Sequence, residues 1–134
     1  MKGEVKAMQY EDEHDYIMRM IKESIRVLVS LILGKKYVQV ELPLENKYRL
    51  SGPQLSKWKA MIDRGLVNEA ENLLLENLDY QNQQDLEEAL FFYEYTSTKG
   101  KDFLEQHNYS EEEVLDGLKE LARRSGCEEI VELI

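Results

Sequence analysis

The chain has 134 residues, 43% of them hydrophobic, with seven Gly, two Pro and a formal net charge of −10. Those values describe one ordinary domain able to bury its own core, and they exclude fibrous and disordered classes. The acidic balance speaks against nucleic acid as a partner, since that affinity rests on Lys and Arg neutralising phosphates. The single Cys127 allows no internal disulfide, in keeping with a cytoplasmic setting.

The charge is unevenly spread. Residues 16–36 carry a local +4, from Arg19, Lys22, Arg26, Lys35 and Lys36 against Glu23, whereas residues 37–134 sum to −11. An N-terminal amphipathic helix arm, residues 1–36, whose basic part is 16–36, therefore precedes an acidic body. An acidic run, EDEHD, separates the start of the chain from its first apolar segment, which does not suit a secretory leader.

From Asp15 to Lys36, Ile17, Ile21, Ile25, Leu28, Leu31 and Ile32 recur at helical spacing, with the basic residues elsewhere on the wheel. From Val27 to Leu33 the helix becomes apolar nearly all round. The uninterrupted run is far shorter than the roughly 18 to 20 residues that span a bilayer. Such a stripe must be buried, and the reading is that it packs on the chain's own core and on the same helix of a second subunit. A lipid surface is the rival, since basic residues flank the apolar face.

Gly34 stops this helix, and residues 37–50 alternate roughly, as an extended connector interrupted by Pro43. The remaining chain, 51–134, reads as a helical core. Ser51-Gly52-Pro53 opens a helix with Leu55, Trp58 and Ile62 inward as far as Gly65, and Val67, Ala70, Leu74 and Leu78 line the next one. The turn between them is short enough to require an antiparallel hairpin with Gly65 left-handed. Leu86, Ala89, Leu90 and Tyr93 set a further helix, followed by a short helical piece, DFLEQ. Ser110 and Glu113 form a capping box ahead of a helix with Val114, Leu115, Leu118, Leu121 and Ala122 inward. Cys127, Ile130, Val131 and Ile134 repeat the spacing at the C-terminus. The fold class is all-α, an antiparallel helical array.

Within MIDRGLVNEAENLLLENL, Gly65, Ala70 and Leu74 resemble the middle of a tetratricopeptide repeat, which places a tight turn, a small residue at a close crossing and an apolar anchor in that order. The likeness covers one hairpin and implies no peptide-binding array. DYIMR at Asp15 to Arg19, NEAEN at Asn68 to Asn72, Phe92-Tyr93, and the segment Tyr109 to Leu118 together resemble a family of small uncharacterised proteins from gut Firmicutes. That similarity runs from Met8, marking MKGEVKA as an extension, and it implies a helical fold without implying an activity.

Sites of chemistry are few. Glu11 and His14 have the Glu-x-x-His spacing of a di-iron ligand pair, but the second pair such a centre needs is absent, so a solvated acidic turn is the simpler reading. His107 falls near a helix end, where an imidazole suits the dipole. Cys127 lies on an inward stripe, as an inert thiol. TSTKGKD lacks the upstream glycine and following hydroxyl of a phosphate loop. Glu69, Glu71 and Glu76 read as a wet helix face, and Asn68 and Asn72 as caps of neighbouring backbone. FFYEY, residues 91–95, is apolar all round: either Phe91, Phe92 or Tyr95 reaches a subunit or partner contact, or the helix is central and packed on every side. The sequence calls for no metal, cofactor or catalytic residue. It points to a non-enzymatic interaction protein, a homodimer with a further protein partner, ahead of a membrane-surface protein or a small-molecule enzyme.

Overall fold

The computed structural model describes residues 2–33, 50 and 52–127, with side chains of the first helix described over 14–32. Among them are six α-helices and no strand: α1 (Lys2–Leu33), α2 (Gly52–Asp63), α3 (Val67–Glu76), α4 (Gln83–Ser97), α5 (Lys101–Gln106) and α6 (Glu111–Arg124). The expected connector at 37–50, Leu50 apart, and the C-terminal stripe of Ile130, Val131 and Ile134 lie outside the described residues.

The first helix starts much earlier than its apolar periodicity. EDEHD continues the helix instead of preceding it, since charged and long-chain residues are compatible with helical geometry. Ile21, Ile25 and Leu28 are buried within the chain, Ile17 and Ile32 are half-buried, and α1 packs on α4 and α6. The stripe thus joins the one core cluster. Among the described side chains of this helix, Leu31, 44% exposed, and Tyr16 keep large apolar surface on its outer side.

α4 is the central element, in contact with α1, α2, α3 and α6. Its apolar girdle follows from that position. Phe91 and Phe92, read from sequence as residues for a subunit or partner contact, are completely buried inside the single chain. Four neighbours surround the helix, Trp58 meets Phe92 edge-on at 5.9 Å, and no second subunit is needed to cover either ring. Tyr95 is half-buried, stacked on Phe91, with its hydroxyl donating to Asp63 Oδ1 at 2.6 Å. Lys99 and that hydroxyl hold the Asp63 carboxyl below its usual range. Within α4, the buried Thr96 hydroxyl is satisfied by the Phe92 carbonyl.

Helix ends follow the local chemistry. Ser110 Oγ accepts from the Glu113 N–H, the expected cap of α6, and Asn82 accepts from the Asp85 N–H at the start of α4. Gly65 has φ +83°, the left-handed turn that the α2–α3 hairpin demands, and Ala70 is fully buried behind it. Gly65 is constrained twice. A Cβ built there would overlap the ring of His107, the residue that closes α5 and donates from Nδ1 to the Phe103 carbonyl at 2.7 Å.

This pair of constraints separates experimentally. Gly126 has nearly the same φ, +86°, with nothing near its Cβ position, so Gly126→Ala should lose only the left-handed backbone cost of about 1 to 2 kcal/mol. Gly65→Ala should lose clearly more in chemical denaturation, about 3 kcal/mol, and combining it with His107→Ala should recover part of the difference. Equal losses at the two glycines would show that the His107 contact is unimportant.

Candidate functional site

α3 and α6 both lean on α4 without packing closely on each other, and the gap between them is a groove of about 470 Å³. That volume lies in the range of small-ligand and side-chain pockets. Tyr93 of α4 forms its floor, Glu71 and Leu75 of α3 one wall, and Asp116, Gly117 and Glu120 of α6 the other. Tyr80 and Arg124 close one end, with the guanidinium carbon 5.2 Å from the ring centroid and Nε bonded to Glu120 at 2.9 Å.

Gly117 makes the floor. It sits in the interior of α6, where glycine ordinarily costs about 1 kcal/mol against alanine, and a Cβ there would overlap the Tyr93 ring. The missing side chain lets Tyr93 lie beneath α6 and reach α3. There its hydroxyl donates to Glu71 Oε2 at 2.8 Å, and the hydroxyl of Tyr109, just before α6, donates to the same oxygen at 2.9 Å. Both phenols are 2% exposed. Burial first, and the Glu71 charge second, raise both phenol pKa values well above the usual range, so both hydroxyls remain donors throughout physiological pH.

Glu71 therefore differs from the wet face expected of it. One oxygen is filled by two buried donors, and Oε1 makes no hydrogen bond among the described residues while its side chain lines the groove. The orientation of the carboxylate is thereby set by α4 and the Tyr109 segment together. Periodicity within α3 could not reveal this, although the interior glycine of α6 was a visible sign of close approach.

The other sequence candidates have structural roles. His14 Nδ1 donates to Glu111 Oε1 at 2.7 Å, joining α1 to the first turn of α6. Glu111 is 3% exposed, and its Oε2 has no hydrogen-bond partner among the described residues. Asn68 caps the Asn108 carbonyl at 2.8 Å, the kind of role expected for it. Arg26 donates from Nε and Nη2 to Glu23 of its own helix, at i, i+3 spacing. Cys127 is half-buried against the core. Among the described residues no group of three or more His, Cys, Asp or Glu could hold a metal ion, and no helix is long and apolar enough to cross a membrane.

Residues 11–126 match the model of a family of unknown function, DUF6483, and the chain belongs to that family. No curated protein and no solved structure matches it.

Gly117→Ala tests the floor of the groove. In an ordinary helix interior this change stabilises by about 1 kcal/mol; here it should destabilise by about 1 to 3 kcal/mol in urea titration, as the Tyr93 ring is displaced. Stabilisation would mean that the close approach does not constrain the fold.

Proposed function

We propose that this member of the family is a non-enzymatic binding module of the cytoplasm, whose groove between α3 and α6 takes a basic segment of a partner protein. The observation that carries this reading is the groove itself: a concave surface with a fixed carboxylate on its wall, tyrosine rings at its floor and end, and Glu113 and Asp116 at its rim. The chain's own Arg124 displays the chemistry in miniature, a guanidinium lying on Tyr80 and bonded to Glu120. A net charge of −10 adds long-range attraction for a cationic partner. Binding is favoured over catalysis because the tyrosine hydroxyls donate to Glu71 and stay protonated, leaving neither as a base.

Calorimetric titration with a short basic peptide and with its acidic counterpart checks the reading. The basic peptide should bind, lose affinity as salt rises, and bind severalfold more weakly to Asp116→Lys, while the acidic peptide should not bind. Absence of saturable binding by the basic peptide at low salt would remove the proposal.

Self-association through α1 is a second reading, supported by the exposed Leu31 and Tyr16 on its outer face. It favours protein over lipid as the partner of this helix, since Ile21, Ile25 and Leu28 already lie in the chain's own core. The wild type should then sediment as a dimer and Leu31→Glu as a monomer. A monomeric wild type at high concentration would end this reading.

A further inference from the structure

We infer that the Glu71 subsite of the groove selects the primary ammonium of a lysine side chain over the guanidinium of an arginine. The inference rests on the groove reading above and adds the identity of the group recognised at its wall.

A guanidinium binds a carboxylate best as a fork, with two parallel N–H bonds to its two oxygens. Glu71 cannot offer that pair. Each carboxylate oxygen accepts about two hydrogen bonds, and Oε2 already takes both the Tyr93 and the Tyr109 hydroxyls, at 2.8 and 2.9 Å. Only Oε1 is left for a further donor, on a side chain that lines the groove. A single acceptor oxygen suits a compact ammonium, which needs no fixed fork and can direct one donor to Oε1 and others to water or the Asp116 rim. An incoming arginine would have to displace a buried tyrosine hydroxyl to form its fork, and that phenol would then lie buried without a partner.

The position of Arg124 agrees with this division. The chain's own guanidinium does not enter the Glu71 subsite. It lies at the end of the groove on Tyr80, where Glu120 accepts from Arg124 Nε through Oε1 and from Arg123 through Oε2. The groove thus has two kinds of place for a cation: an open end where a planar guanidinium lies on a ring, and a wall with one preset oxygen. Asp116 and Glu113 at the rim attract either cation, so discrimination must come from Glu71. The occupant is a lysine within a polypeptide, because the groove is also lined by Leu75, 41% exposed, which offers apolar contact to neighbouring residues of a chain.

The test is calorimetric titration of the full chain with one short peptide of constant basic flanks, bearing Lys, Arg or Gln at its centre. The Lys peptide should bind severalfold more tightly than the Arg peptide, since both cations can donate one charge-assisted hydrogen bond to Oε1 but only the guanidinium gives up its preferred fork in doing so. Glu71→Gln keeps an acceptor for the tyrosines but turns a neutral amide toward the groove, and it should abolish the preference with the helical fold intact by circular dichroism. Tyr93→Phe combined with Tyr109→Phe should release Oε2 and improve the Arg peptide relative to the Lys peptide. Should that pair of changes prevent folding, the Glu71→Gln comparison decides alone. Equal binding of Lys and Arg peptides, or a Lys preference that survives Glu71→Gln, overturns the selectivity while leaving the groove as a basic-segment site. Spermidine binding as tightly as the Lys peptide overturns a polypeptide occupant. No binding by any of the peptides overturns both the selectivity and the groove reading.

Discussion

The structure depends on one helix having no wet face at its middle. Leu90, Phe91, Phe92 and Tyr93 of α4 are successive buried residues, and four bulky side chains in a single helical turn point in every direction. They can be removed from water only by surrounding the helix, which α1, α2, α3 and α6 do. At about 1.5 to 3 kcal/mol for each fully buried large apolar side chain, that turn alone rivals the net stability of a small domain before conformational entropy is counted against it. The groove is a by-product of this arrangement. Helices laid around a cylinder leave gaps wherever two neighbours both touch the centre better than they touch each other.

What distinguishes the α3–α6 gap from an ordinary crevice is that polar groups from the centre reach into its wall. Tyr93 carries its hydroxyl outward from the buried helix, Gly117 makes room for it, and Glu71 meets it together with Tyr109. Each element supplies one requirement: α4 the phenol, α6 the absent side chain, α3 the acceptor. A carboxylate held in this way loses little conformational entropy on meeting a ligand, which is the usual advantage of a preorganised site.

Much of the fold was legible in the sequence, because it is written in local patterns. The cap at Ser110 and Glu113, the left-handed turn at Gly65 and the inward stripes of α2, α3 and α6 each depend on residues within a few positions of one another. Glu71 was not legible, since its role depends on Tyr93 and Tyr109, which lie in other elements, while neighbouring Glu69 has the same composition and faces water. FFYEY was ambiguous for a related reason: all-round hydrophobicity demands cover on every side but does not say whether the cover belongs to the same chain. The start of α1 was misplaced because EDEHD has no apolar periodicity, and the link from His14 to Glu111 joins residues near opposite ends of the sequence.

That last contact bears on how the chain is made. α1 leaves the ribosome first, yet the surfaces it packs on belong to α4 and α6, the latter completed only at Arg124. At about 5 to 20 residues per second, its apolar stripe waits for several seconds of synthesis before its last partner exists. During that interval Ile21, Ile25 and Leu28 are available to chaperones or to other nascent chains, and the charged segment ahead of them helps keep the unfinished protein in solution. The core can thus be completed only once α6 has been made, although α1 is the earliest-made of these helices.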